Sequence, residues 1–214
     1  MNAANFLQYI VSGTAYTLGV TLIALPLGLL IGLVLALVYV YGGKAGSRSM
    51  QAYSIVLRGI PPIVLLFILY FVVSGAINLS PFAAGALALG IVSSAYQMEI
   101  IRGAILSVDA GQMMAARAVG LSRLEAIRSV VLPQAFRYAI APWSNEVAIV
   151  IKDSSLVYAL GVPEVLRRAQ LIGASNQNYL LAYGAAATIY FILVWLANKS
   201  LVGLEKRLAI PGSH

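Results

Sequence analysis

QMMAARAVGLSRLEAIRSVVLP, residues 112–133, is a polar, basic stretch set between strongly apolar ones. Gln112 to Val119 reads as a helix, Gly120 stops it, and Ser122 is placed to cap a second helix with Glu125 three residues on, the spacing of a capping box. Pro133 is expected to end the run. The segment is therefore a short helical hairpin, and Arg117, Arg123 and Arg128 are surface charges for lipid or a soluble partner to meet.

What surrounds the hairpin is read from composition. Hydrophobic residues make up 61% of the 214 and charged residues 10%, where a soluble domain carries about a quarter charged residues. This is the composition of an integral membrane protein. There is no cysteine, which excludes disulfides and thiolate chemistry, and the single histidine, His214, is the last residue, so His-based catalysis or metal binding has little support. No GxxxxGK[ST] phosphate loop is present. A net charge of +7 does not point to nucleic acid here, because basic residues in a membrane protein sort by loop.

Apolar runs long enough to span about 30 Å of hydrocarbon occur at Ala15–Tyr41, at about Ala52–Val73 and at about Phe82–Arg102. The second carries Arg58 near its start, read as an interfacial anchor, and the pair Pro61-Pro62 should break it near one membrane face. Ser74 to Pro81 is read as a short uncharged turn. After the hairpin come a short fourth run, about Tyr138–Ile151, a mixed segment with a short amphipathic helix after Pro163, and a fifth run, about Tyr179–Asn198. The expected fold class is thus all-α: a polytopic membrane protein of about five transmembrane helices, one domain over residues 1–214. With the N-terminus outside, Lys44, Arg48, the hairpin and the basic tail at Lys199, Lys206 and Arg207 all fall on the cytoplasmic side. Asp153, Glu164, Arg167 and Arg168 then lie outside between the fourth and fifth runs, the two arginines read as a solvated helix face. Residues 1 to 14 lack the basic n-region of a cleavable signal peptide.

The hairpin with its flanks resembles the membrane-spanning permease subunits of ATP-binding-cassette importers, in the polar amino acid uptake group. The family pattern, Glu-Ala-Ala, three residues, Gly, nine residues, Ile, one residue, Leu and Pro, is met by Ala115-Ala116, Gly120, Val130 and Leu132-Pro133 at the same spacing. SSAYQMEIIRGAILSVDAGQ from Ser93, LPQAFRYAIAPWSNEVAIVIKDSSLV from Leu132, and RGIPP from Arg58 resemble the same group, over about residues 10–208. One position departs: Met114 stands where the family has its glutamate.

The resemblance implies a type I importer fold in which residues 109–133 form a coupling helix seated on the ATPase, with Met114, Ala115, Ala116, Arg117, Gly120, Leu121, Ser122, Leu132 and Pro133 at the contact. It implies no enzymatic activity in this chain. ATP and magnesium would be bound by two ATP-binding subunits, and a second permease subunit, identical or homologous, would enclose the path. An extracytoplasmic binding protein would deliver an amino acid across a prokaryotic cytoplasmic membrane.

Candidates for substrate contact are the polar residues in the spans, since an unpaired charge in a bilayer costs at least a few kcal/mol. They are Ser93, Ser94 and Tyr96 in the third run, and Asn145, Glu146, Lys152, Asp153 and Ser154 in and after the fourth. Lys152 and Asp153 could bind the two ends of a zwitterion, or pair with each other, with Asn145 and Glu146 held in helix–helix hydrogen bonds. Glu99 and Arg102 are spaced to pair on one helix face. The recurrent glycines, among them Gly28, Gly32, Gly85 and Gly90, are read as close-packing positions, and Tyr179, Tyr183, Tyr190 and Trp195 as compatible with interface belts and helix packing. The competing class is a self-contained oligomeric channel or secondary carrier.

Overall fold

A computed structural model of the chain describes residues 3–73 and 78–208. Among the described residues every regular element is helical. Helix α1 (Ala3–Val11) leads into α2 (Thr14–Tyr41), an uncharged helix of 28 residues. At its end Gly43, with φ +73°, turns the chain into α3 (Gly43–Gly59).

The Pro61-Pro62 pair then acts as its chemistry requires. The residue before a proline is driven out of helical geometry, and Ile60 is extended at φ −100°, ψ 130°. Pro62 starts α4 (Pro62–Phe67), where a missing N–H costs nothing, and α4 widens into a π turn, Ile68–Val73. The axis bends by 96° across the break.

Helix α5 (Pro81–Leu106) is opened by Pro81 and capped by Ser80, whose Oγ accepts the Ala83 N–H at 3.2 Å. Of the link expected over Ser74 to Pro81, residues 74–77 lie outside the described residues; Asn78 has φ +51°. The hairpin is α6 (Ala110–Ala118) and α7 (Arg123–Ala126), followed by a π turn, Ile127–Val131, and α8 (Leu132–Asp153). A 3-10 turn, Ser154–Leu160, stops at Gly161 (φ +83°) before α9 (Val165–Asn176) and α10 (Tyr179–Leu208).

Two expectations are corrected. Pro133 does not end the run: it is in the first turn of α8, and the π turn before it, where the Leu132 N–H reaches back to the Ile127 carbonyl, lets the helix continue through it. The fourth run is accordingly longer than read, 22 residues or about 33 Å. Three stretches, Asn5–Tyr41, Pro81–Leu106 and Tyr179–Leu208, are long and apolar enough to cross a membrane, and the bent pair α3–α4 makes a fourth. Helix α8 has the length but carries Arg137, Glu146, Lys152 and Asp153.

Helix α5 is the core of the molecule. Its most apolar stretch is 72% buried, against 17% for that of α10. Small residues set its approach to α2: a Cβ at Gly32 would lie 2.9 Å from the Met98 backbone nitrogen, and one at Gly28 would lie 2.6 Å from Gln97 Nε2. Gly85 and Gly90 sit equally close to Val157 and Leu27, so the glycines are packing positions. Apolar clusters form around Val20, Leu66, Leu89 and Val157, around Ala36, Met98, Ile105 and Ala135, and around Ile10, Val165, Ala169 and Ala186.

Glu164 is fully buried. Its carboxylate caps α9, accepting the Leu166 and Arg167 N–H groups at 2.8 and 2.6 Å, and takes the Tyr190 hydroxyl at 2.5 Å. Tyr190 therefore locks α10 to α9, the helix-packing role among those expected of it. Arg168 ties α9 to α1 through Ser12 Oγ (2.7 Å) and the Tyr9 ring (4.9 Å).

Overpacking a tight contact costs about 1–3 kcal/mol. Gly32→Val should lower the thermal midpoint of the detergent-purified protein by several degrees. Gly184→Val, with open space around it, should leave the midpoint in place; equal midpoints would mean that α2 and α5 are not in contact.

Candidate functional site

Four polar side chains meet in the apolar interior between α2, α5 and α8. Ser93 and Gln97 lie one turn apart on α5, and Trp143 and Glu146 one turn apart on α8. Ser93 Oγ donates to Glu146 Oε1 at 2.6 Å. Gln97 Nε2 donates to Ser93 Oγ (2.9 Å) and to the Leu25 carbonyl (3.1 Å), while its Oε1 accepts the Trp143 indole N–H at 2.9 Å. Glu146 is only 3% exposed. A carboxyl group so placed is tolerable only when hydrogen bonded, and this chain of bonds supplies the partners.

The sequence expectation included Ser93 and Glu146 among its eight polar candidates but did not include Gln97 and Trp143. The signal was available: spacings of four on α5 and three on α8 put each pair on one helix face.

The other candidates are dispersed. Ser94 Oγ lies 2.6 Å from the Tyr53 hydroxyl of α3, and Tyr96 lies under the Arg58 guanidinium, 5.2 Å from the ring centre. Ser154 is buried, its hydroxyl on the Ile151 carbonyl at 2.7 Å. Asp153 is half-buried, and Asn145 and Lys152 are exposed. Among the described residues the ion pair is Glu99–Arg102 at 2.8 Å, as their spacing foretold, and none joins Lys152 to Asp153. Asn145, Ile149 and Lys152, at helical spacing, form an uncovered polar and apolar stripe on α8.

A cavity of about 680 Å³ lies between α2, α5, α8 and α10 and is lined by Leu29, Leu33, Ile101, Phe136, Trp143 and Leu204. Arg128 is its one charged lining residue. Such a wall gives a polar solute almost nothing to bind, so the polar chemistry lies in the Ser93–Glu146 layer and along the α8 stripe.

The hairpin is built as read. Asp109 caps α6 through the Gly111 N–H at 2.7 Å, Gly120 adopts φ +94°, and the Arg117 guanidinium holds the turn by donating to the Leu121 carbonyl at 2.8 Å. The capping box is complete: the Ser122 N–H donates to Glu125 Oε2 (2.7 Å) and the Glu125 N–H to Ser122 Oγ (3.3 Å). Ala116 is turned inward, whereas Met114 is 67% exposed and Val119 and Leu124 stand out beside it. Leu132 is half-buried and Pro133 exposed where the hairpin joins α8. Met114, Val119 and Leu124 are apolar knobs on an otherwise polar hairpin.

Residues 28–209 match the family described as binding-protein-dependent transport system inner membrane component. The chain is 37% identical over 204 residues to the glutamine transport system permease protein GlnP of Escherichia coli (strain K12), covering 94% of this chain and 93% of that protein. It is 33% identical over 199 residues to the octopine transport system permease protein OccQ of Rhizobium radiobacter, covering 87% and 84%. Among solved structures, an amino acid ABC transporter crystallised with histidines superposes with TM-score 0.85 at 33% identity, over 97% of this chain and 100% of that one. The MetNI methionine ABC transporter, inward-facing, has TM-score 0.82 at 22% identity over 98% and 100%, a likeness of fold.

Removing the amide centre of the network should be costly. Gln97→Leu leaves the Trp143 N–H without its acceptor, and an orphaned buried donor costs about 1–3 kcal/mol; the check is a drop in thermal midpoint larger than that of Ser94→Ala. The hairpin carries its own pH signature. Hydrogen bonds from the Ser122 hydroxyl and N–H hold the Glu125 carboxyl below its ordinary 4.5. The cap's contribution is therefore present above that value and lost as pH falls through the lowered one. Amide-exchange protection at Ser122 and Glu125, corrected for intrinsic rates, should fall only in that acid range, and Glu125→Gln should abolish the dependence.

Proposed function

The chain belongs to the family of binding-protein-dependent transport system inner membrane components, and we propose that it carries a polar amino acid through the cytoplasmic membrane of a prokaryote. It is a permease subunit of an ATP-driven importer and has no ATPase site of its own. The observation that carries the reading is the capped hairpin with Met114, Val119 and Leu124 exposed, hung from α5 and α8, the two helices that also hold Ser93, Gln97, Trp143 and Glu146.

That connection supplies a mechanism. A rigid helix seated in a cleft transmits rotation of the domain beneath it, where a flexible loop would absorb it. The capping box and the Arg117–Leu121 bond stiffen the hairpin, and the continuous run from α7 into α8 passes its movement to the Glu146 layer. Two ATP-binding subunits would take the hairpins of two permease subunits. ATP and magnesium would reside in the ATP-binding subunits, and access to the path would alternate as these close and open. Met114 makes the contact more apolar than a glutamate would.

The α8 stripe of Asn145, Ile149 and Lys152 supports a path shared between two subunits. Polar and charged groups in a bilayer turn toward a partner or a watery cavity. Ser93, Glu146 and Asp153 line this reading from behind the stripe, with Ser94, Tyr96 and Ser154 as their supports. Amino acid is the cargo favoured by the relatives, which are named for glutamine and octopine. An extracytoplasmic binding protein would deliver it. The N-terminus would lie outside and the C-terminus inside, as the basic residues around α3, the hairpin and the end of α10 support.

The complex of this chain with its ATP-binding subunit, in proteoliposomes, should accumulate amino acid only with ATP and binding protein. Uptake by the purified chain alone, driven by an ion gradient, would return the channel or carrier reading. Gly120→Val, forcing a branched side chain into φ +94°, should cut transport-coupled ATP hydrolysis by about tenfold or more, a strain of about 1–3 kcal/mol placed at the contact. Met114→Glu should retain coupling.

A further inference from the structure

The cavity between α2, α5, α8 and α10 offers nothing to a polar cargo, yet its depth and its single charge are specific. On α8 its lining runs from Leu132 to Trp143, a rise of about 16 Å, matching the ~15 Å of hydrocarbon in one leaflet. On α5 it touches Ile101 and Ala104, close to the end of that helix at Leu106, and on α10 it touches Leu204, close to the end at Leu208. The cavity therefore occupies the leaflet on the hairpin's side. Phe136 and Leu204 line it and are still exposed, so it is open laterally. Phe136 and Asn145, about two and a half turns apart, point to opposite sides of α8, and the opening faces away from the polar stripe.

Water is a poor occupant. A buried water needs two to four polar partners, and the Trp143 N–H is already given to Gln97. Left empty, the wall would forfeit its dispersion contacts. An acyl chain fills it, but a chain passing from one hydrocarbon surrounding to another gains little, so the wall alone cannot select a lipid. Selection is left to the mouth. Arg128 stands four residues before Leu132, about one turn below the apolar wall and level with the lipid head groups. It is exposed and, among the described residues, has neither a carboxylate nor a hydrogen-bond partner. Glu125, one turn before it, is held in the capping box. Arg207, three residues beyond Leu204 on α10, is likewise exposed, and no acid lines the cavity.

We propose that this cavity binds an anionic phospholipid of the leaflet on the hairpin's side. One acyl chain lies along Leu33, Phe136 and Ile140 with its methyl end at Trp143, and the phosphate accepts hydrogen bonds from the Arg128 guanidinium. Basic pockets between spanning helices hold such head groups. Arg128 belongs to the π turn that joins the hairpin to α8, and Trp143 holds Gln97 in the polar layer, so the lipid bridges the two. The site rests on the hairpin's side being a membrane face and not on what the chain carries.

The chain has two tryptophans, so Trp195→Phe leaves Trp143 as the reporter. The full-length Trp195→Phe chain, reconstituted in phosphatidylcholine vesicles, is titrated with phosphatidylglycerol or phosphatidylcholine brominated toward the methyl end of the acyl chains, since bromine quenches an indole that it reaches. Brominated phosphatidylglycerol should reach half of its full quenching at a lipid fraction about fivefold or more below that needed by brominated phosphatidylcholine. Arg128→Ala should remove most of that difference, and Arg128→Lys, which keeps the charge and guards against a folding defect, should retain part of it. Ala139→Phe, which puts a ring into the cavity and leaves Arg128 in place, should weaken quenching by both lipids. Coincident curves for the two lipids in the parent chain, or a preference that Arg128→Ala leaves unchanged, overturn the site. Quenching that Ala139→Phe does not alter also overturns it, because the bromines would then lie outside the cavity. No amino acid or ATP enters the measurement, so its failure leaves the permease reading standing.

Discussion

The close approach of α2 to α5 is the contact from which the rest of the structure follows. Two apolar helices in lipid gain little by burying hydrocarbon from a solvent that is itself hydrocarbon, so packing and hydrogen bonding must hold them. Gly28 and Gly32 remove the side chains that would keep the backbones apart. Only at that separation does Gln97 reach across to the Leu25 carbonyl, and only then can it also accept the Trp143 indole and donate to Ser93. Glu146 is tolerable inside the molecule because this chain of bonds ends on it. The helix that carries the hairpin and the helix that carries the carboxylate are thereby fixed to one scaffold.

Against that scaffold, the irregular elements stand where something must happen. The two π turns and the proline break put non-standard backbone at the entry to α8 and beside Tyr96. In a bilayer such backbone survives only where protein or water satisfies it. The end opposite the hairpin follows a different logic. Glu164, Tyr190, Arg168 and Tyr9 bind α1, α9 and α10 into one block, with a buried carboxylate serving as a helix cap. A block tied by hydrogen bonds at one end, a capped hairpin at the other and a broken helix between them are the three parts of this scaffold.

What could be read in advance divides along the range of the forces involved. Ser122 and Glu125 declared their capping box, Glu99 and Arg102 their ion pair, and Pro61-Pro62 their break, because each acts over three or four residues of one chain segment. Pro133 misled because a proline's effect depends on whether the preceding turn can widen, and that is settled by packing around Ile127 and Val131. The burial of Glu164 was not legible for a similar reason: it stands beside two arginines in a charged segment, and only the arrival of α10 with Tyr190 makes a buried site for it.

The sequence by itself determined that this is a helical membrane chain with a basic, capped hairpin on one side, since hydropathy, charge placement and local capping are additive along the chain. It named Ser93 and Glu146 but gave no reason to separate them from Ser94, Tyr96, Lys152 or Ser154. Tertiary structure made that separation, because hydrogen bonds between helices depend on rotation and depth, which no spacing within one helix specifies. It sent Ser94 to Tyr53 and Tyr96 to Arg58, left Asn145 and Lys152 uncovered, and brought in Gln97 and Trp143.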